Sequence, residues 1–337
     1  MKTEFLNDIS NMVNKIYFAN NYGKKTCNDD LMKHNLWNYL ETLRKNFSLK
    51  QNDIICFFDS HENEETGEKG SWRYDYIKEN NVNVEYKSGR SKNEEVNRWI
   101  KYLEENIDKI NFRKIKVNNL EADDCIALYT KEEKNKNKNL NIISSDEDFY
   151  QLINDFIKIY DFKNKKFVDL TKKEAKIEAY IKVMCGDNSD KIPNITKSIT
   201  PEIKFGEITA KKYIEEAIVF TMSSITKIEE FKEVFLNTIF DKIIEEKYVP
   251  KLLSLDNVNV EKESENIKKL LKNNYDINYK LISFSEIPHN LVENFKTEFS
   301  NLKEKKFSDK QISDFYKKEK CFKLSEMYKE VGNEVNR

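Results

Sequence analysis

The chain has 337 residues, enough for one large or two ordinary domains, and its 58 basic and 59 acidic side chains leave a formal net charge of -1. That balance excludes a uniformly basic nucleic-acid binder, and 3 histidines with 5 scattered cysteines lacking a CxxC pair argue against a zinc site or a histidine-based catalytic dyad. Only 7 Gly and 4 Pro punctuate it, so regular, helix-rich structure is expected.

In chain order, EFLNDI is the first β-rich run, and LMKHNLWNYLETLRK (31–45) follows with helical periodicity. DIICFFD (53–59) and NVEY read as strands, EEVNRWIKYLEENIDKI (94–110) as a helix, and RKIKV, LNIISSD and FIKIYD as further strands. The polar stretch KEEKNKNKN (131–139) reads as a loop or helix end. This alternation predicts an α/β domain with a largely parallel sheet. From about Lys173 strand signals fade, and EAKIEAYIKVMC, TAKKYIEEAI, FKEVFLNTIFDKIIEE, ENIKKLLKN and IPHNLVENFKTEF predict a helical second part. An odd number of thiols, no signal-peptide pattern and no apolar run of about 18 residues lead us to expect a reduced, soluble, cytoplasmic protein with no membrane association. Cys56, Cys125 and Cys185 stand beside apolar residues and are expected to be packing residues.

In an open α/β sheet the functional crevice lies outside the carboxyl ends of the strands, and the acids of this chain gather there. Asp8 follows EFLN, Asp59 follows IICFF, and Asp146 and Asp148 follow LNIISS. Glu121, Asp123 and Asp124 stand in NNLEADDCIAL after RKIKV, and Asp187 and Asp190 stand in CGDNSDKIP behind the helix EAYIKVM. Any one cluster is explained by helix capping. Several converging on one crevice would raise one another's pKa unless a cation sat between them. Mg²⁺ or Mn²⁺ fits a carboxylate-rich, histidine-poor ligand set, and two such ions about 3.5–4 Å apart would support phosphodiester displacement. If the strand persists through Asp146 and Asp148, their spacing of two points both to one side. Glu121 and Asp124, like Asp187 and Asp190, are spaced for one face of a helical turn.

The order Asp8, Asp59, EADD, SSDEDF, GDNSDKIP resembles the 5′ nuclease, or flap endonuclease, family. That family includes the 5′ nuclease domains of bacterial DNA polymerase I, phage 5′ exonucleases and the ribonuclease H of T-even phages, and SWRYDY, IISSDEDF and IPHNLVENF are similar to the last of these. The resemblance covers most of residues 1–215. It implies a PIN-like α/β domain over 1–185 with an arch over about 72–100, then a helical region over 186–337 with a helix–hairpin–helix motif over about 186–220. By resemblance, Asp8, Asp59, Glu121, Asp123 and Asp146 serve a first metal ion; Asp148, Asp187 and Asp190 serve a second, and Asp124 belongs to the same motif. Glu147 stands where the family often has Gly, and is expected to face solvent. WRYDYIKENNVNVEYKSGR resembles the family's gateway: Arg73, Lys87 and Arg90 would meet phosphates, with Lys87 and Arg90 neutralising charge at the cleaved bond, and Tyr86 would stack on a base. FGEITAKKYIEEA resembles the second half of the DNA-binding hairpin, where Gly206, the helix start near Thr209, Lys211 and Lys212 would hold a duplex phosphate beside a monovalent cation.

The expected activity is therefore that of a Mg²⁺-dependent 5′ nuclease with two ions, Mn²⁺ substituting. It would leave 5′-phosphate and 3′-hydroxyl ends. Its substrates would be flapped, nicked or forked DNA and RNA primers in RNA–DNA hybrids. It would act as a monomer in phage replication, beside a single-stranded-DNA-binding or other replication protein. The rival readings are a branched-DNA-binding relic of the same fold and a PIN-type RNA endonuclease.

Overall fold

The computed structural model describes residues 2–21, 28–60, 71–89, 93–224 and 231–328. Two compact units make up the chain, and neither is continuous in sequence. The first comprises residues 1–72, 91–169 and 287–337; the second comprises 73–90 and 170–286. The expected helical half, 186–337, is thus divided between them.

The first unit is built on six strands: β1 (Thr3–Asp8), β2 (Ile54–Phe58), β3 (Arg113–Lys116), β4 (Asn139–Ile143), β5 (Ile157–Asp161) and β6 (Lys166–Phe167). Their order is β3-β2-β1-β4-β5-β6, parallel except for β6, the short antiparallel edge strand. β2 is buried at every position and β1 at all but its first. Central strands of a parallel sheet covered by helices read as continuous apolar runs for that reason. β1 has β2 on one side and β4 on the other, so the order reverses there and opens a crevice at the carboxyl ends.

Helices α1 (Ile9–Asn21), α2 (Asp29–Asn46), α4 (Glu94–Asn106) and α5 (Ala122–Lys131) belong to this unit. α2 starts where the Asn28 side chain accepts from the Leu31 N–H, at 2.9 Å. The C-terminal helices α11 (His289–Asn301), α12 (Asp309–Lys318) and α13 (Phe322–Met327) also pack here. Buried Glu41 pairs with Arg44 at 2.6 Å and accepts from Tyr316 at 2.7 Å and Tyr328 at 2.6 Å, bonds that tie the C-terminal segment to α2. At the other end of the strands, buried Glu4 accepts from Arg113 at 2.9 Å, Tyr129 at 2.6 Å and Lys138 at 3.0 Å.

The second unit is helical: α6 (Lys172–Cys185), α7 (Glu207–Ser224), α8 (Phe231–Ile243), a π turn over Ile244–Tyr248, α9 (Val249–Leu252) and α10 (Val260–Ile282). NVEY forms no strand. It follows helix α3 (Trp72–Glu79) as irregular chain, and Tyr86 turns into the core of the second unit, a buried cluster that also holds Ile181, Met184 and Tyr213. No helix of the described residues is long and apolar enough to cross a membrane. Cys56 and Cys125 are buried and Cys185 half-buried, with burial pushing the Cys185 thiol up to about 12, so none is a nucleophile at neutral pH.

Candidate metal centre

Three adjacent parallel strands deliver three acids to one end of the sheet. Asp8 is the last residue of β1, Asp59 follows β2 directly, and Asp146 comes three residues after β4. Ladder register sets Asp8 opposite Phe57, so Asp59 leaves the sheet two residues beyond Asp8, on the same carboxyl end. The chain then turns outward at each point, and local hydrogen bonds fix the carboxylates. Asp8 accepts from the Asn11 N–H in the first turn of α1, at 3.0 Å. Asp59 accepts from the Ser10 hydroxyl through one oxygen and from the Ala122 N–H, at 2.8 Å, through the other.

The EADD segment opens α5 as a capping box, with the Glu121 N–H donating to Asp124 at 3.3 Å. Asp124 is fully buried and also accepts from the Trp72 indole at 3.0 Å. One carboxylate oxygen from each of Glu121, Asp123 and Asp124 lies within 4.8 Å of the others, close enough to share a cation. Asp124 anchors the helix start, while Glu121 and Asp123 beside it are only half-buried.

Asp146 and Asp148 do not share one side of a strand. β4 ends at Ile143, and Asp146 caps a short 3-10 helix over Glu147–Leu152, accepting from the Asp148 N–H at 3.0 Å. The strand cannot continue, because Ser144 accepts the Asp146 N–H at 3.1 Å and diverts the chain. Glu147 is exposed, as expected.

The electrostatics show an excess of negative charge. Asp8 is pushed up to about 7 from an ordinary 3.8, first by burial and then by Asp59; the Asn11 N–H opposes the rise and Asp146 adds to it. Lys15, one turn further along α1, places its ammonium out of solvent with no hydrogen-bond partner among the described residues. Burial lowers its pKa, while Asp161, Asp8 and Asp146 hold it up. One desolvated lysine does not neutralise this many acids. The donor set is all carboxylate oxygen, and it fits a hard divalent cation.

Asp187 and Asp190 lie in the second unit. Gly186 ends α6 at φ 76°, and a Cβ there would stand 2.3 Å from the Ile192 carbonyl oxygen, so this position requires glycine. The turn it permits closes with paired backbone bonds between Asp187 and Ile192. Asp187 accepts from the Ser189 N–H at 2.7 Å and pairs with Lys182 at 2.8 Å. Burial pushes its pKa up, but Lys182 and Ser189 outweigh that and bring it down to about 2. Asp190 has its own lysine: Lys87 approaches at 3.7 Å, and the Lys87 N–H donates to the Asp190 carbonyl at 2.8 Å.

The remaining gateway residues divide. Arg73 is not offered to a phosphate: it is 2% exposed, and its Nε donates to the Leu281 carbonyl at 2.7 Å. Tyr86 is not offered to a base: it is 5% exposed, with its ring centroid 5.2 Å from that of Tyr74. Both are framework residues, taken inward by core packing. Arg90 lies outside the described residues. Gly206 and Thr209 border a cleft of about 520 Å³ with Asn194, Lys197 and Lys204, though an added Cβ at Gly206 would meet open space. Lys211 pairs with Glu178 at 3.6 Å and Lys212 with Glu246 at 3.2 Å, each side chain about half exposed. Sequence reasoning missed Ser10, Asn11 and Trp72, which fix the first-unit acids, and Lys182, which holds Asp187 across the end of α6; apart from the Asp8–Asn11 cap, none of these pairings has a local spacing signal.

Residues 3–180 match the model of the 5′-3′ exonuclease, N-terminal resolvase-like domain. The chain is 30% identical over 115 residues to the flap endonuclease Xni of Psychromonas ingrahamii (34% of this chain, 39% of that protein). It is 29% identical over 162 residues to a 5′-3′ exonuclease of Buchnera aphidicola (46% and 51%) and 30% over 146 residues to DNA polymerase I of Lactococcus lactis (40% and 16%). The chain thus spans about half the length, or less, of these relatives. The crystal structure of the T5 D15 protein co-crystallised with metal ions superposes with a TM-score of 0.55 at 15% identity, over 89% of this chain and 99% of that one. The T5 5′-exonuclease with bound zinc gives the same TM-score and coverage, and both likenesses speak for the fold.

Proposed function

From the premise that this chain belongs to the 5′-3′ exonuclease family whose N-terminal resolvase-like domain it carries, we propose that it is a divalent-metal-dependent, structure-selective 5′ nuclease. Its substrates are flapped, nicked or forked DNA and RNA primers in RNA–DNA hybrids. The observation that supports this most is the delivery of Asp8, Asp59 and Asp146 by three adjacent parallel strands, beside Glu121 and Asp123.

In this reading Asp8, Asp59, Glu121, Asp123 and Asp146 hold a first ion, Mg²⁺ or Mn²⁺. Asp148, Asp187 and Asp190 hold a second. When bound, such ions neutralise phosphate charge and lower the pKa of a coordinated water for in-line displacement. The chain's own groups orient the site: Ser10 and the Ala122 N–H aim Asp59, the Asn11 N–H aims Asp8, and Trp72 locks the buried Asp124. Lys87 stands beside Asp190 with its ammonium over the Tyr86 ring, and transfers from carboxylate to phosphate when substrate arrives, offsetting charge that develops at the cleaved bond. Asp146 and Lys87, with Arg90, are the proposed catalytic residues. Gly206, Thr209, Lys211 and Lys212 present the start of α7 to a duplex phosphate, with a monovalent cation in the same hairpin. The products carry 5′-phosphate and 3′-hydroxyl ends.

The test is cleavage of 5′-labelled flap, nicked and RNA-primed duplexes, with Mg²⁺ and with chelator, with product lengths resolved. Metal-dependent cuts near the junction or the 5′ end are expected. Intact substrates that still shift on a binding gel would leave a DNA-binding relic and remove the catalytic assignment. Preference for single-stranded RNA would make it a PIN-type RNA endonuclease.

A further inference from the structure

The core face of α7 is formed by Ala210, Tyr213, Ile214, Ala217 and Thr221, all fully buried and spaced as one helical stripe. The same helix carries Val219, Phe220 and Met222 off that stripe, 71%, 51% and 74% exposed. Three large apolar side chains within four residues of a solvent-facing surface mark a contact face more often than chance. Val219 and Phe220, though not Met222, border a groove of about 800 Å³ between α7 and α8, lined also by Glu215, Glu216, Asp241 and Glu245, together with Lys242. Lys242 pairs with Glu216 and Lys268 with Asp241, whereas Glu215 and Glu245 make no ion pair among the described residues. Glu245 enters the groove from the π turn Ile244–Tyr248, an irregularity that helices tend to keep where they serve a function.

We infer that this groove is a docking site for a basic, apolar segment of another protein. Four carboxylates against one ammonium line it, which repels the phosphates of a nucleic acid and an anionic lipid surface alike. A second copy of the chain is disfavoured by symmetry, because twofold pairing of this face sets acid against acid. A helix with apolar anchors at i, i+3/i+4 and i+7 and Lys or Arg beside them meets both the floor and the two unpaired carboxylates. Val219 lies about 15 Å along the axis from Thr209 at the 1.5 Å rise of a helix. A partner seated there leaves the duplex-facing end of α7 uncovered.

The experiment uses the full chain and a fluorescein-labelled helical peptide of roughly 18 residues, long enough to hold a helix. It carries leucines at that spacing and lysines on the flanks, and a scrambled peptide of the same composition is the control. Fluorescence anisotropy is expected to show saturable binding on the order of 10 µM. Scrambling the peptide should weaken it about tenfold, as should Val219→Ser or the pair Glu215→Lys and Glu245→Lys. The exposed pair Glu261→Lys and Glu265→Lys on α10 should leave it within about twofold. Equal binding of the scrambled peptide, indifference to the groove substitutions, displacement of the peptide by duplex DNA, or self-association of the chain through Val219 would each overturn the inference. Every readout is a binding one, so a failure of the proposed nuclease activity is scored separately.

Discussion

The two units hold the same side chain in opposite electrical states. In the first, Asp8 is crowded by Asp59 and Asp146 with one desolvated lysine nearby, and its pKa is pushed up to about 7. In the second, Asp187 has Lys182 at 2.8 Å and its pKa is brought down to about 2. An acid that carries its own counter-ion costs little to keep ionised. A cluster without one is strained by its own repulsion, and residues such as Ser10 and Trp72 keep its members in place despite it.

The comparison can be broken in steps. Asp146→Asn removes a proposed ligand without altering the cap geometry, because Asn also accepts from the Asp148 N–H. Turnover on a flap substrate should fall about a thousandfold, roughly 4 kcal/mol of transition-state stabilisation, with duplex affinity nearly unchanged; a fall in affinity alone would assign Asp146 to substrate binding.

The next effect is on stability in chelator. The Asp8 carboxyl binds its proton more tightly folded than unfolded, so native stability is full below about pH 4 and declines as pH rises through about 7. Asp8→Asn should abolish that decline and gain about 4 kcal/mol at pH 8, read by urea unfolding. An Asn variant that loses stability at pH 8 would show that the crowding is compensated. Asp187 carries the opposite sign: its pKa is depressed when folded, so its contribution is present above about 3.8 and lost as pH falls through about 2. Asp187→Asn should cost about 2 kcal/mol at pH 7 and almost nothing near pH 2. The smallest effect is at α7. Lys211→Ala should reduce the salt dependence of duplex binding by about one phosphate contact, with a free-energy change well under that of Asp187→Asn because Glu178 already engages the lysine.

Much of this was legible because strand ends are local events. An apolar run followed by an acid, as in IICFF-Asp59 or EFLN-Asp8, fixes both the strand and the direction in which its functional residue leaves the sheet. What the chain does afterwards was less legible. SSDEDF continues a strand on spacing alone, yet the Ser144 hydroxyl and the Asp146 cap turn it into a 3-10 helix. Arg73 and Tyr86 carry the polar groups of a nucleic-acid contact, but the Leu281 carbonyl and the Tyr74 ring take them inward, and those partners are distant in sequence or hidden in the same segment. Amphipathic helices after residue 286 declare that they pack, not where. Buried Glu41, awaiting Tyr316 and Tyr328, decides that they join the first unit.

The central claim, that the first-unit acids hold the tighter ion while Asp187, already paired with Lys182, contributes only to a weaker one, is tested most directly by calorimetric titration with Mn²⁺ of the full chain and of its Asp146→Asn and Asp187→Asn variants. The account predicts tight binding of an ion that Asp146→Asn weakens by about tenfold or more and Asp187→Asn leaves in place. Equal loss in both variants, or no heat of binding in the unaltered chain, would contradict it.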